Sequence, residues 1–253
     1  MKPIFIAGPC VIETEECLNE VAVELARLRD ELGITIYFKS SFDKANRTSL
    51  SSYRGPGLDR GLEMLARIKE KYELPLLTDI HEAWQAEPAA RVVDVLQIPA
   101  FLCRQTDLLV AAARTGCIVS IKKAQFLSGE DMKYPVEKCR QSGAKDIWLT
   151  ERGNSFGYNN LVVDFRNIPD MLKWTDRVVM DCTHSVQRPG GNGGSTGGNR
   201  EYVPAMAMAA KAFGANGYFF EVHPDPDHAL SDGPNMLRLS DLEGVVRKLI
   251  GND

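Results

Sequence analysis

Residues 4–13 read IFIAGPCVIE. The apolar residues at 4–7 form an unalternating run, Gly8 and Pro9 break it, and Cys10 stands just before a series of acidic, helix-starting residues. A run without alternation suits a strand buried on both faces, and the break that follows marks a strand handing over to a helix. The same pattern recurs along the chain. Comparable runs lie at 35–39 (TIYFK), 74–78 (LPLLT), 95–98 (VLQI), 118–122 (IVSIK), 146–150 (DIWLT), 177–181 (RVVMD) and 217–222 (GYFFEV).

Helical patterns fill the intervals. Leu18, Val21, Leu25, Leu28 and Leu32 recur at three- and four-residue spacing, and Gly33 predicts the stop. Similar stripes run from Leu58 to Tyr72, Leu108 to Arg114, Val203 to Phe213 and Leu239 to Ile250, the last with Ser240 and Glu243 spaced as a capping box. Eight strand–helix alternations in 253 residues fit an α/β fold of the (β/α)8 TIM barrel type, as one catalytic domain over residues 1–253. A doubly wound sheet needs no eighth unit and usually carries a glycine-rich phosphate turn after its first strand, which is missing here. The biased segment PGGNGGSTGGN at 189–199 follows the seventh run and is expected to be a mobile active-site loop.

Composition bounds the function classes. The chain is 44% hydrophobic and 25% charged, a globular balance. No apolar run reaches the ~20 residues of a membrane span, and the first run is too short for a secretory signal, so a cytoplasmic protein with no membrane partner is expected. A net charge of -4 argues against a nucleic-acid partner. Cysteines at 10, 17, 103, 117, 139 and 182 form no CxxC pair and are expected to stay single thiols.

In a barrel of this type the chemistry sits where strands end. The first run leads to Cys10, the second into KSSFDKANR (39–47), the third into TDIHE (78–82) and the fifth into KKAQ (122–125). The sixth leads into TERG (150–153), the seventh into DCTHS (181–185) and the eighth into EVHPDP (221–226). Lys39, Lys44, Arg47, Lys122, Lys123 and Arg152 are therefore expected to converge on one mouth of a net-acidic protein, where they would focus an anionic substrate. The bland alternative, a scatter of solvated surface charges, does not account for their concentration at strand ends.

Cys10 leaves the first run, His184 leaves the seventh, Glu221 lies in the eighth and Asp232 in the loop after it, and barrel closure makes these three runs neighbours. One thiolate, one imidazole and two carboxylates suit one divalent ion of intermediate softness: Zn2+, Fe2+, Mn2+ or Co2+. Without a barrel the set carries little signal, since a lone cysteine is usually core and a lone histidine usually a structural hydrogen-bonding residue. His81, His223 and His228 are assigned structural or supporting roles.

The stretches AGPCVIE, FKSSFDKANRTS, TDIHE, QIPAFLCRQTDLL, KKAQF, LTERG, FGYNNLVVDFR, DCTHSVQ and EVHPDPDHALSDGPN, in this order over nearly the whole chain, resemble the 3-deoxy-D-manno-octulosonate 8-phosphate synthases. The resemblance implies a homotetrameric barrel enzyme with active sites near subunit boundaries. Its substrates would be phosphoenolpyruvate, D-arabinose 5-phosphate and water, and its products the eight-carbon phosphorylated sugar acid and inorganic phosphate, for lipopolysaccharide biosynthesis. The sister family, which uses erythrose 4-phosphate, carries a KPRTS-type loop where this chain has KANRTS, so Asn46 and Arg47 favour the arabinose phosphate. The family has a metal-dependent class with cysteine at the position of Cys10 and a metal-independent class with asparagine there. The glycine-rich loop after the seventh run and the short tail after the last helix depart from the family pattern.

By the same resemblance, Lys39, Lys44, Lys122 and Arg152, with Gln125 beside them, would hold the phosphate and carboxylate of phosphoenolpyruvate. Asn46 and Asp79 would contact the sugar, and Arg47 and Thr48 its phosphate across a subunit boundary. Catalytic work is expected of Lys39, Lys44, Asn46, Asp79, Lys122 and His184. A class II type metal-dependent sugar-phosphate aldolase is the alternative, but it needs no second anion site and releases no inorganic phosphate. A non-catalytic metabolite-binding barrel would have no use for a metal-ligand set beside two anion sites.

Overall fold

The computed structural model describes residues 1–156, 159–190 and 197–251. Its central ring consists of β1 (Ile4–Gly8), β2 (Thr35–Lys39), β3 (Leu76–Asp79), β4 (Val95–Ile98), β5 (Ile118–Lys122), β6 (Ile147–Glu151), β7 (Arg177–Asp181) and β8 (Gly217–His223). Each strand pairs in parallel with the next, and β8 pairs back onto β1, from Gly217 opposite Ile4 to Glu221 opposite Gly8. The sheet is therefore the closed (β/α)8 barrel expected from the sequence. A short strand at Leu237–Arg238 adds to the end of β8.

Among the described residues eight α-helices alternate with the strands: α1 (Glu15–Leu32), α2 (Leu58–Tyr72), α3 (Ala86–Ala90), α4 (Thr106–Arg114), α5 (Lys133–Gln141), α6 (Asn167–Met171), α7 (Val203–Ala212) and α8 (Leu239–Ile250). Thr14 caps α1 by accepting the N–H of Cys17, and Gly33 ends it in the left-handed conformation with its own N–H on Arg29 O. Helices α3 and α6 are five residues long with an internal proline, too short to show a stripe. The expected capping box on α8 does not form. The residue before that helix is Arg238, Ser240 lies inside the first turn, and Glu243 is taken up by Arg27 and Arg247. Strand β3 begins at Leu76, two residues later than expected, since Pro75 has no N–H for a ladder.

Side chains alternate across the barrel wall. Ile4, Ile6, Leu77, Val95, Trp148, Val179 and Phe219 point inward and form a separate inner core. Phe5, Ala7, Ile36, Phe38, Leu76 and Leu96 point outward and pack with the helices in the larger core. Each fully buried side chain of this size contributes ~1.5–3 kcal/mol relative to exposure. Of the segment 189–199, residues 191–196 lie outside the described residues, while Gly197–Gly198 pairs with Gln187–Arg188. Among the described residues no helix is long and apolar enough to cross a membrane.

The turn after β1 depends on a missing side chain. A Cβ on Gly8 would stand 1.9 Å from the backbone oxygen of Lys39, where only backbone can yield. Gly8→Ala is expected to destabilise the protein by about 3 kcal/mol through this overlap, measured by urea denaturation; an unchanged midpoint and slope would show that the approach of β1 to β2 is not tight.

Candidate active site

One step beyond the inner core, the inward positions become polar. Lys39, Asp79, Gln97, Lys122 and Glu221 continue the inward register of β2, β3, β4, β5 and β8, and Arg152 follows Trp148 and Thr150 at the end of β6. All six line one cavity of about 1240 Å3 at the C-terminal mouth. The loops add Lys44, Asn46, Arg47 and Thr48 after β2, Gln125 after β5, His184 after β7 and Asp232 after β8. Arg47 and Thr48 therefore already line the mouth within a single chain. Lys123 is the exception among the expected cations. Alternation turns it outward, and its wholly buried ammonium donates to Leu127 O at 3.0 Å and Asn154 Oδ1 at 2.9 Å.

Cys10, Glu221 and Asp232 gather with one ligand atom from each within 4.8 Å of the others. His184 stands beside them, its Nε2 3.6 Å from Glu221 Oε2 and 3.8 Å from Asp232 Oδ2. The Cys10 thiol donates to Asp232 Oδ2 at 3.1 Å and lies 2.8 Å from Ser231 Oγ. Asp232 is held in the left-handed region, φ 52°, which a short polar side chain tolerates better than most. Burial, and next the Glu221 carboxylate, push the Cys10 thiol well above its ordinary pKa. A thiol so placed becomes an anion only beside a cation, and Glu221 Oε2 is a buried acceptor without a hydrogen-bond partner. The donor set and this unpartnered oxygen fit one divalent ion.

The inner cations are held by carboxylates. Lys39 Nζ donates to Cys10 O at 2.8 Å and Glu221 Oε1 at 2.9 Å, and Lys44 Nζ lies 3.6 Å from the same oxygen. Against the opposing effect of burial, Lys39, His184 and Lys44 bring the Glu221 pKa down to about 2. Lys122 Nζ donates to Asp181 Oδ2 at 2.6 Å, and burial pulls its pKa below the usual lysine value. Two arginines differ from these lysines. Among the described residues Arg152 makes one side-chain bond, from Nη2 to Gln187 Oε1 at 3.1 Å, and its Nε and Nη1 are buried without partners. Arg47 donates from Nε to Tyr53 O at 2.9 Å, and its Nη2 is likewise buried and unpartnered among the described residues.

The remaining histidines divide. His81 lines the mouth and bonds Asp79 Oδ2 through Nε2 at 3.0 Å, while Ser41 Oγ donates to the other Asp79 oxygen. His223 Nδ1 accepts the N–H of Asp225, and His228 pairs with Asp225 on the surface. The residue missed by sequence reasoning is Asp181. It is wholly buried and accepts from Lys122 Nζ and from the backbone N–H of Thr183 and His184, while Oδ2 lies 2.8 Å from His184 Nδ1. A carboxylate at this second nitrogen fixes the ring so that Nε2 faces the donor cluster. Its place in the inward register, three residues before His184, was the available signal.

A closed barrel with two arginines and a cluster of thiol, imidazole and carboxylates at its mouth defines a class of barrel enzyme, and comparison with known proteins places it further. A model of the DAHP synthetase I family matches residues 1–251, and the chain belongs to that family. It is 56% identical to a 2-dehydro-3-deoxyphosphooctonate aldolase of Fusobacterium nucleatum over 250 residues, 99% of this chain and 90% of that protein. It is 57% identical to an equally named protein of a Cyanothece strain over 245 residues, 97% of this chain and 90% of the relative. A Synechococcus protein of the same name is 58% identical over 243 residues, 96% and 86% of the two chains.

Glu221 is the shared partner of Lys39 and Lys44, so its charge compensates the buried Lys39 ammonium and the partly exposed Lys44 ammonium. Glu221→Gln is expected to lower stability by about 3 kcal/mol or more in metal-free buffer, because it leaves those cations uncompensated. Denaturant unfolding in the presence of a chelator reads this; parent-like stability would mean that the pairs contribute nothing net.

Proposed function

We propose that this chain condenses phosphoenolpyruvate with D-arabinose 5-phosphate and water to give 3-deoxy-D-manno-octulosonate 8-phosphate and inorganic phosphate, a step of lipopolysaccharide biosynthesis. The observation that carries the reading is the pair of arginines with unpartnered guanidinium nitrogens. Arg152 follows β6 and Arg47 follows β2, four strands apart in an eight-strand ring, so one cavity offers two anion sites. A guanidinium fork suits phosphate or carboxylate. The names of the relatives agree with a phosphorylated sugar acid as product.

In this reading Lys39, Lys44, Lys122 and Arg152 hold the phosphate and carboxylate of phosphoenolpyruvate, with Gln125 beside them. Arg47 and Thr48 hold the phosphate of the sugar, and Asn46 and Asp79 its hydroxyls. The fixed cations offset the mutual repulsion of two anionic substrates and bring the reacting carbons together. C3 of phosphoenolpyruvate bonds to the aldehyde carbon, whose oxygen takes a proton to become a hydroxyl. Water adds at C2, and the C2–O bond to phosphate breaks. Lys122, between Asp181 and His184, is placed to hold a proton during these steps. Cys10, His184, Glu221 and Asp232 would hold one divalent ion, Zn2+, Fe2+, Mn2+ or Co2+, which supplies Lewis-acid polarisation when bound.

The wider reading includes a single catalytic domain, a cytoplasmic location and a homotetramer. For the last, Trp84, Phe101, Phe126 and Phe156 are exposed in the loops after β3, β4, β5 and β6, an aromatic arc of the kind that subunit contacts cover.

Incubation with both substrates and a divalent ion is expected to release inorganic phosphate in step with sugar-acid formation; an aldolase would release none, and absence of phosphate would overturn the proposal. A strong chelator is expected to stop turnover and added Mn2+ or Zn2+ to restore it, whereas full activity of a sample shown to be metal-free would remove the ion from the account. Arg47→Ala should raise KM for the sugar phosphate by on the order of a hundredfold or more, as for loss of a charged hydrogen-bonded contact of ~3 kcal/mol, with KM for phosphoenolpyruvate little changed. Equal effects on both would place Arg47 in the wrong subsite.

A further inference from the structure

Lys123 and Glu151 lie behind the barrel wall, and no step of the proposed reaction uses them. Both side chains are wholly buried, with Lys123 Nζ 3.6 Å from Glu151 Oε1. The ammonium donates to Ala124 O at 3.2 Å, Leu127 O at 3.0 Å and Asn154 Oδ1 at 2.9 Å. Asn154 Nδ2 in turn donates to Leu127 O at 3.0 Å. On the other side, Glu151 Oε1 accepts the backbone N–H of Arg152 at 2.9 Å and of Gly153 at 2.6 Å. Burying two charges costs several kcal/mol per ion before their attraction is counted, and well-packed apolar residues often serve stability as well or better. What these charges do that apolar residues cannot is fix backbone groups in two neighbouring loops at once.

Those loops carry the deep anion site. Lys122 precedes Lys123 directly, Gln125 lies between the two carbonyls that the ammonium holds, and Arg152 owns one of the two N–H groups bound to Glu151. Ordinary backbone bonds close the same seam, Lys123 N to Thr150 O at 2.8 Å and Ser155 N to Gln125 O at 3.1 Å. Among the described residues the guanidinium of Arg152 has only the bond to Gln187 to aim it, so its direction depends on the backbone from which it springs. We infer that Lys123 and Glu151 are positioning residues for the phosphoenolpyruvate subsite, their ion pair setting the two strand exits that direct Lys122, Gln125 and Arg152 into the mouth. The inference rests on the function proposed above.

Replacing both charges together, Lys123→Met with Glu151→Gln, avoids leaving one buried ion unpaired. The folded double variant is expected to show KM for phosphoenolpyruvate raised on the order of ten- to a hundredfold, the scale of a misplacement near 1 Å, with KM for D-arabinose 5-phosphate within about twofold of the parent. A purely structural pair would lower the melting temperature and leave the two KM values in their parent ratio; that result overturns the inference. If the double variant does not fold, Asn154→Ala removes one anchor of the ammonium and is expected to raise KM for phosphoenolpyruvate alone, by about threefold; no selective rise overturns the inference equally. Should the parent itself release no phosphate, the function fails, and calorimetric binding of phosphoenolpyruvate to parent and variant then decides the positioning role by the same selective loss.

Discussion

Side chains on a strand alternate between two faces, and a ring of eight parallel strands has only one interior for the alternate set that faces it. Everything at the mouth follows from that constraint. The inward set begins with Ile4, Ile6, Leu77, Val95, Trp148, Val179 and Phe219, which fill the lower barrel. It then changes character within one step along the strands to Lys39, Asp79, Gln97, Lys122, Asp181 and Glu221. The apolar floor excludes water from below, so the charges above it sit in a medium where each needs a partner.

The partnering is economical. Glu221 serves Lys39 and Lys44 and stands beside His184, while Asp181 serves Lys122 and His184. Lysines matched in this way are held in place without a ligand. The two arginines are not matched, and their unpartnered nitrogens supply the capacity for anions that the proposed condensation requires. The donor cluster draws on β1 and β8 and the loops after β7 and β8, which only barrel closure makes neighbours. Cys10 at the exit of the first strand is thus part of the site only because the last strand returns to the first.

Much of this was legible in the residues, and the misreadings have physical causes. Runs without alternation named the strands because a parallel sheet covered on both faces leaves no polar side to reveal. The same property hid which way each exit residue points. Lys122 and Lys123 look equivalent as a KK pair, yet one step of the strand sends the first into the mouth and the second behind the wall. Asp181 stood in DCTHS without a role because nothing local distinguishes an inward carboxylate from an outward one. Ser240 and Glu243 had the spacing of a cap, but a helix start is set by where the chain leaves the preceding strand, and Leu237–Arg238 pairs with β8 right up to Leu239. Five-residue helices such as α3 and α6 fall below the length at which a stripe can be read.

The central claim is that one mouth joins the carbon of phosphoenolpyruvate to a sugar aldehyde and expels phosphate by breaking the C2–O bond. Phosphoenolpyruvate carrying oxygen-18 at the bridge between carbon and phosphorus tests it directly, in a reaction with D-arabinose 5-phosphate followed by mass analysis of both products. The account expects the label to leave with inorganic phosphate. Label retained in the sugar acid would show that the P–O bond breaks and would contradict the proposed addition of water at C2.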